Sequence, residues 1–216
     1  MALLLGLCAF SPSRPAHAQQ PGVPGKFDFY LLDLPWGPEF CHIKDVSSQC
    51  KPQRGFVVHG LWPQNNDGTW PVFCSKETGP AGYEPYLRIT PDLQLLQHEW
   101  DKHGTCSAQG ATRFFQMEIE ASRRITVPDE FRNAGNSGKD IVLTPEWILR
   151  SFYFENPSLP PGSLSLSCQD GRLTAVEACF DKDLHAIACK GLHSCQATAL
   201  TLKNAPADAG LGIVRQ

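Results

Sequence analysis

The chain has 216 residues, 42% of them hydrophobic and 19% charged, and a formal net charge of −3 at pH 7. This length suits one domain with a proper hydrophobic core, and the ordinary share of apolar residues argues against disorder. With 19 lysines and arginines against 22 aspartates and glutamates, the balance argues against tight binding of long nucleic acid by phosphate neutralisation, because proteins of that kind are usually basic.

The N-terminus has the pattern of a secretory signal peptide. An apolar run over residues 2–10 is too short to span a bilayer and precedes Ala16-His17-Ala18, a small-residue cleavage pattern. We therefore expect a signal over residues 1–18, one folded domain over residues 19–216, and a secreted or periplasmic protein. No Lys or Arg precedes the run, so either the start lies inside a longer signal or the segment is something else.

Two strands and a long loop are predicted in the first half of the chain. The first strand covers residues 26–34, with three apolar side chains alternating onto one face: Phe27, Phe29 and Leu31. A second, buried strand is predicted over residues 55–59 and ends at His59, where Gly60 lets the backbone turn. Residues 64–88 contain several Pro and Gly residues and predict an irregular loop, a feature that is commonly functional.

A helix is predicted next, and it carries several polar residues. Thr90 is its expected N-cap, Pro91 lies in its first turn, and Gly104 ends it. Helical spacing gives it a buried apolar stripe of Leu93, Leu96 and Trp100.

Two further helices and three short strands complete the predicted elements. One helix spans residues 111–124, with three side chains facing inward: Phe114, Phe115 and Ile119. The next begins at Thr144, another N-cap, and carries Trp147, Ile148 and Phe152. Short strands are expected at residues 164–166, 173–180 and 186–189. Three tryptophans are predicted to be core residues: Trp36, Trp100 and Trp147.

Nine cysteines predict an oxidising compartment. Removal of Cys8 with the signal leaves eight, an even number that permits up to four disulfides. Eight cysteines allow about 105 pairings, so the spacing alone does not choose among them.

Two short blocks contain most of the candidate chemistry. They are Phe56-Val57-Val58-His59-Gly60-Leu61-Trp62-Pro63 and His98-Glu99-Trp100-Asp101-Lys102-His103-Gly104-Thr105-Cys106. Histidine titrates near neutrality, so one imidazole can remove a proton while another delivers one. Residues four apart on a helix are neighbours, so Glu99 can meet His103 and His98 can meet Lys102. Two histidines and a fixed cation suffice for RNA transphosphorylation, so we expect neither a metal nor another cofactor.

A zinc hydrolase is the alternative that the His98-Glu99 pair raises. Zinc peptidases of the HExxH type place two histidines four residues apart on one helical face. Here His98 and His103 are five apart, about 140° around a helix, so they cannot easily chelate one ion. Chelator sensitivity would distinguish the two mechanisms.

The two blocks closely resemble the active-site segments of the ribonuclease T2 family, secreted acid endoribonucleases that cleave RNA through a 2',3'-cyclic phosphate. Similarity extends to Phe27-Asp28-Phe29-Tyr30-Leu31-Leu32 and to the cysteine-bearing C-terminal region, roughly residues 26–195 in all. The resemblance implies an α+β fold with a central antiparallel β-sheet flanked by α-helices. It also implies four disulfides: Cys41–Cys50, Cys74–Cys106, Cys168–Cys195 and Cys179–Cys189.

The resemblance further implies a role for five polar residues of the blocks. His103 would take the proton from the ribose 2'-OH, and His59 would protonate the leaving 5'-oxygen. Glu99 would orient His103 or hydrogen-bond a protonated oxygen. Lys102 would offset charge on the nonbridging oxygens, and His98 would bind phosphate. Which histidine acts first as base comes from the family alone.

Single-stranded RNA is the expected substrate, bound over a few nucleotides. Trp62 and Trp70 are predicted to stack on bases, as aromatic residues do in the family, although Trp62 also fits a core position. Gln64 lies where some relatives carry an acidic base-contacting residue, so no base preference follows. We expect no cleavage of DNA, no membrane span, and a monomer.

Two other functions remain open. One is a non-catalytic secreted RNA-binding or cytotoxic module on the same fold. The other is a disulfide scaffold, which leaves the clustering of histidines in two blocks unexplained. The histidines outside the blocks are expected to be structural: His42, His185 and His193.

Overall fold

The computed structural model describes residues 21–44, 47–50, 55–133 and 139–204; the predicted signal lies outside them. Its strands are β1 (Phe29–Pro35), β2 (Gly60–Gln64), β3 (Ile141–Leu143), β4 (Leu164–Gln169), β5 (Arg172–Phe180) and β6 (Leu200–Leu202). Its helices are α1 (Gly37–Ile43), α2 (Ser47–Cys50), α3 (Leu93–Lys102), α4 (Ala111–Ser122), α5 (Asp129–Asn133) and α6 (Pro145–Glu155). Among these residues, no helix is long and apolar enough to cross a membrane.

The six strands form one sheet with the order β2-β1-β5-β6-β3, and β4 pairs with β5. Four of the pairings are antiparallel, and the single β5–β6 pairing is parallel. Helices and loops cover the sheet, which confirms the predicted α+β class. The four disulfides are the pairs that the family resemblance implies.

Strand β1 is buried on both faces, because strands lie on either side of it and side chains cover it above and below. Phe29 and Leu31 pack with Cys179 in a small cluster. Phe27 precedes the strand and joins the main core, where its ring lies 4.8 Å from that of Tyr30. Placing Phe27 on the face of Phe29 and Leu31 was therefore wrong, since the alternation does not extend beyond the strand.

The predicted strand at residues 55–59 is also wrong: this stretch contains only a bridge from Phe56 to Trp36, and β2 begins at Gly60. The Val57 N–H donates to the Pro35 carbonyl at 3.1 Å. Proline has no N–H with which to return the bond, so a regular ladder does not extend there. His59 consequently stands at the entrance to β2 rather than at the end of a strand.

Helix α3 begins two residues later than its sequence predicts. The Asp92 side chain is the cap and accepts from the Leu95 N–H at 2.8 Å. Thr90 instead donates its buried hydroxyl to the Val58 carbonyl at 3.0 Å. Leu93 then falls in the first turn and is exposed, which corrects its core assignment, whereas Leu96 and Trp100 are fully buried as predicted.

The remaining predictions hold in part. Thr144 caps α6 as expected, and the inward residues of α4, together with Ile148, Phe152 and Trp36, are buried. Trp147 is exposed, so its core assignment was wrong; its ring only meets the edge of Phe131. Residues 186–189 contribute a bridge at Ala186 and no strand. Strands β3 and β6 were missed because three residues are too few to show an alternating pattern.

Candidate active site

The entrance to β2 and the last turn of α3 bring the two sequence blocks together. His59 lies between two carboxylates: its Nδ1 is 3.3 Å from Asp33 Oδ2, and its Nε2 is 3.3 Å from Glu99 Oε1. Both are ion-pair distances, and Glu99 Oε1 has no hydrogen-bond partner among the described residues. The imidazole is partly exposed, whereas both carboxylates are buried.

Glu99 links the two blocks. Its side chain is 1% exposed, and its Oε2 accepts a hydrogen bond from Trp62 Nε1 at 2.6 Å. Gly60 makes this approach possible, because a Cβ at that position would overlap Glu99 Oε2 and lie 2.6 Å from Trp62 Nε1. A side chain at residue 60 would therefore separate the carboxylate from the indole.

His103 is buried at the C-terminal cap of α3. Its ring stacks on that of Trp62, with centroids 5.1 Å apart and planes inclined by 23°. Among the described residues, its Nδ1 has no hydrogen-bond partner. The helix ends at Lys102, and Gly104 opens a 3-10 turn to Cys106. A Cβ on Gly104 would overlap the Trp100 ring.

The two imidazoles have opposite electrostatic environments. Burial disfavours the charged form of His59, but the Asp33 and Glu99 carboxylates outweigh it and raise the pKa of His59 to about 10. Burial lowers the pKa of His103 to about 4. The Glu99 charge acts to raise this pKa, whereas the charges of Lys102 and His98 lower it further. Between these values His59 is a cation and His103 is neutral, so one ring can donate a proton while the other accepts one.

The carboxylates respond to the same contacts. Burial raises the pKa of Asp33, with His59 opposing it. Burial also acts to raise the pKa of Glu99, but the adjacent His59 imidazole, the charge of His103 and the Trp62 hydrogen bond together leave the value lowered. Glu99 is therefore the anion that faces both histidines.

The structure places the other predicted site residues less tightly. His98 is exposed and Lys102 half-buried on α3, and both repel a proton on His103. Trp70 lies on the loop after β2 with 41% of its surface exposed. Gln64 is buried at the end of β2. Of the predicted residues, four therefore share direct contacts: His59, Trp62, Glu99 and His103.

Sequence reasoning missed Asp33 and Glu118. Asp33 is the one charged residue in the hydrophobic run of β1, a pattern that could have marked it. Glu118 falls at helical spacing from the inward Phe114 and Phe115, and it is 0% exposed. Burial raises the pKa of Glu118 to about 8, and the Glu99 charge adds to the effect. Its closest described partner is the Thr90 hydroxyl, at 3.4 Å.

We expect Glu118→Gln to make stability less dependent on pH between about 5 and 8. An unfolded glutamate ionises near about 4.3, whereas folded Glu118 keeps its proton to about 8. The unfolded state therefore binds fewer protons in this window, and stability falls as pH rises, by up to about 1.4 kcal/mol per pH unit. Glutamine cannot ionise and removes this loss. Urea unfolding at several pH values measures it.

The matched control is Glu120→Gln, two residues further along α4. Glu120 is solvent-facing and pairs with Arg113 at 2.7 Å, so the control should keep the wild-type pH slope. An unchanged slope in Glu118→Gln would mean that Glu118 is ionised in the folded protein.

Metal-ligating side chains cluster elsewhere. Within the described part of the chain, the group close enough to hold an ion is Asp181, Asp183 and His185, with ligand atoms within 4.8 Å of one another. These residues follow β5. The site histidines His59 and His103 belong to no such group among the described residues.

Comparison with known proteins gives consistent matches. The model described as the Ribonuclease T2 family matches residues 27–189. A ribonuclease of Aeromonas hydrophila is 40% identical over 126 residues, covering 57% of this chain and 58% of that protein. The chain thus spans little more than half the length of that relative. Ribonuclease DdI of Dictyostelium discoideum is 30% identical over 200 residues, covering 78% of this chain and 84% of that protein.

Solved structures have the same fold. RNase NT, solved in complex with 5'-AMP, superposes with a TM-score of 0.64 at 23% identity, covering 84% of this chain and 98% of that one. Identity this low establishes the fold alone.

Proposed function

The chain belongs to the ribonuclease T2 family, and on that premise we propose that it is a metal-independent endoribonuclease. Single-stranded RNA is cleaved by transphosphorylation to 2',3'-cyclic phosphate ends, and slower hydrolysis then gives 3'-phosphates. The observation that carries the proposal is the contrast between two neighbouring histidines: His59 lies between two carboxylates, whereas His103 is buried against the Trp62 indole. Imidazolium at His59 and neutral imidazole at His103 are the acid and base that the first step requires.

In that step the neutral His103 accepts the proton of the ribose 2'-OH as this oxygen attacks phosphorus. The bond from phosphorus to the 5'-oxygen breaks, and His59 gives its proton to the leaving oxygen. Water later opens the cyclic phosphate with the two roles reversed. The pKa directions support His103 as the first base, an assignment that otherwise comes from the family.

Charge on the phosphorane oxygens is offset by Lys102, with His98 binding phosphate and Glu99 orienting the histidines. Bases stack on Trp70 and Trp62. Trp70 offers the more open ring, because His103 covers one face of Trp62. The acidic composition favours local binding of a few nucleotides.

The proposed setting is secreted or periplasmic. Four disulfides support an oxidising compartment. The mature protein covers residues 19–216 after loss of the signal over residues 1–18, and it acts as a monomer.

A single-stranded RNA oligonucleotide and its all-deoxy counterpart, each incubated with the protein in excess chelator, test the proposal. We expect cyclic-phosphate ends from RNA and intact DNA, because DNA lacks the 2'-OH that serves as nucleophile. Mass spectrometry of the products identifies the ends. Loss of activity on chelation would favour the metallohydrolase, and uncut RNA with verified folding would favour the non-catalytic binding module.

A further inference from the structure

We propose that Asp33 is a positioning residue of the reaction, which holds His59 by its Nδ1 and directs the Nε2–H toward Glu99 and the reacting phosphate. The inference rests on the proposed function for its catalytic consequence. The structural observation behind it is the contact between the buried Asp33 carboxylate and the His59 imidazole.

Asp33 holds His59 through two groups. The Asp33 carbonyl accepts the His59 backbone N–H at 3.0 Å, and the Asp33 carboxylate lies 3.3 Å from Nδ1 of the ring. Asp33 is 5% exposed in the centre of the sheet. Since His59 lies outside the regular strand, the two contacts fix both its backbone and its ring.

The arrangement also determines where protons lie on the ring. An ionised carboxylate only accepts hydrogen bonds, and a neutral imidazole carries a proton on one nitrogen only. His59 presents each ring nitrogen to a different carboxylate, Asp33 and Glu99. A neutral ring would turn a nitrogen lone pair toward one of these carboxylates. The two carboxylates together therefore favour the imidazolium cation. Without the Asp33 carboxylate, His59 would retain only the carboxylate of Glu99, and its neutral ring could carry the proton on either nitrogen.

Other ionisable groups surround this pair, and all of them stay in place in the Asp33 variants proposed below. Glu99 from α3, His103 at its end and Glu118 from α4 act electrostatically on or with His59. Asp33 also interacts electrostatically with Glu177, its register partner on β5. The Glu177 carboxylate accepts from the Ser167 hydroxyl at 2.6 Å. Glu177 therefore offers a half-buried carboxylate next to Asp33 with a different hydrogen-bond partner.

The test compares Asp33→Asn with Glu177→Gln, both nearly isosteric. NMR titration of the ring nitrogens in histidine-labelled full-length protein gives the pKa and tautomer of His59. We expect Asp33→Asn to lower the pKa of His59 by at least about one pH unit, because an opposite charge at this distance shifts a pKa by about 1–3. RNA cleavage should lose about tenfold or more in kcat with KM nearly unchanged, and its alkaline limit should move to lower pH.

Glu177→Gln should leave the titration of His59 close to wild type. Asp33→Ser, a smaller substitution, provides the same comparison if the asparagine variant does not fold. An unchanged pKa and tautomer of His59 in the Asp33 variants would overturn the proposal, whatever happens to the rate. A shifted His59 pKa in the Asp33 variants, together with wild-type protein that cleaves no RNA, would support the contact and refute the proposed function, so the two failures are distinguishable.

Discussion

Replacing His103 with alanine is expected to lower kcat for RNA cleavage by about 10²–10⁴-fold, the usual contribution of a general base. His59→Ala should cause a loss of the same order, because it removes the group proposed to donate a proton to the leaving oxygen. The two imidazoles have pKa values on opposite sides of neutrality, so neither can replace the other without a change in protonation. Initial rates on a single-stranded RNA oligonucleotide measure both effects.

The control is His185→Ala. That ring is largely exposed and pairs with Asp181 at 3.2 Å outside the site, so its loss should leave kcat unchanged. Circular dichroism and melting curves verify that the variants fold. Full activity in both His59→Ala and His103→Ala would show that the proposed mechanism is wrong.

Removing the Cys74–Cys106 disulfide by a double serine substitution is expected to lower the free energy of unfolding by about 3.5–4 kcal/mol. The bond joins residues 32 apart in sequence, and the loss corresponds to the chain entropy that the unfolded state regains, on a model whose mechanism is disputed. The closed loop contains all of α3, which carries Glu99. Denaturant unfolding under non-reducing conditions measures the change.

A second cross-link supplies the comparison. The Cys41–Cys50 disulfide closes a separation of 9 residues, so its removal should cost less, about 2.7 kcal/mol on the same model. Hydrogen bonds from Phe73 N–H to the Lys102 carbonyl and from Cys74 N–H to the Thr105 hydroxyl also join the loop to α3. These bonds exist only in the folded state and do not restrict the unfolded loop, so an equal or smaller cost for Cys74–Cys106 would contradict the entropic account.

The helices and their polar residues were predictable from local pattern. Leu96 and Trp100 recur at helical spacing, which puts Glu99 and His103 on one side of α3 whatever the rest of the fold does. Thr144 and the following proline mark the start of α6 for the same local reason. Short-range geometry depends on the adjacent residues, and these are visible in the sequence.

Contacts across the sheet were not predictable in this way. The meeting of Asp33 with His59 depends on the register of β1 and β2, and the meeting of Trp62 with Glu99 depends on how α3 packs near β2. Thr90 looked like a helix cap, yet its hydroxyl goes to the Val58 carbonyl. A nonlocal partner thus outcompeted the local one.

By itself the sequence determined the family, the α+β class, the two histidine-bearing blocks and the residue types that can transfer protons. Only the tertiary structure decided which imidazole has its pKa raised and which has it lowered. Both histidines have the same intrinsic pKa, and the difference arises because one lies between two carboxylates whereas the other is buried against an indole. Burial and through-space charge set a pKa, and both depend on chain segments that are far apart in sequence.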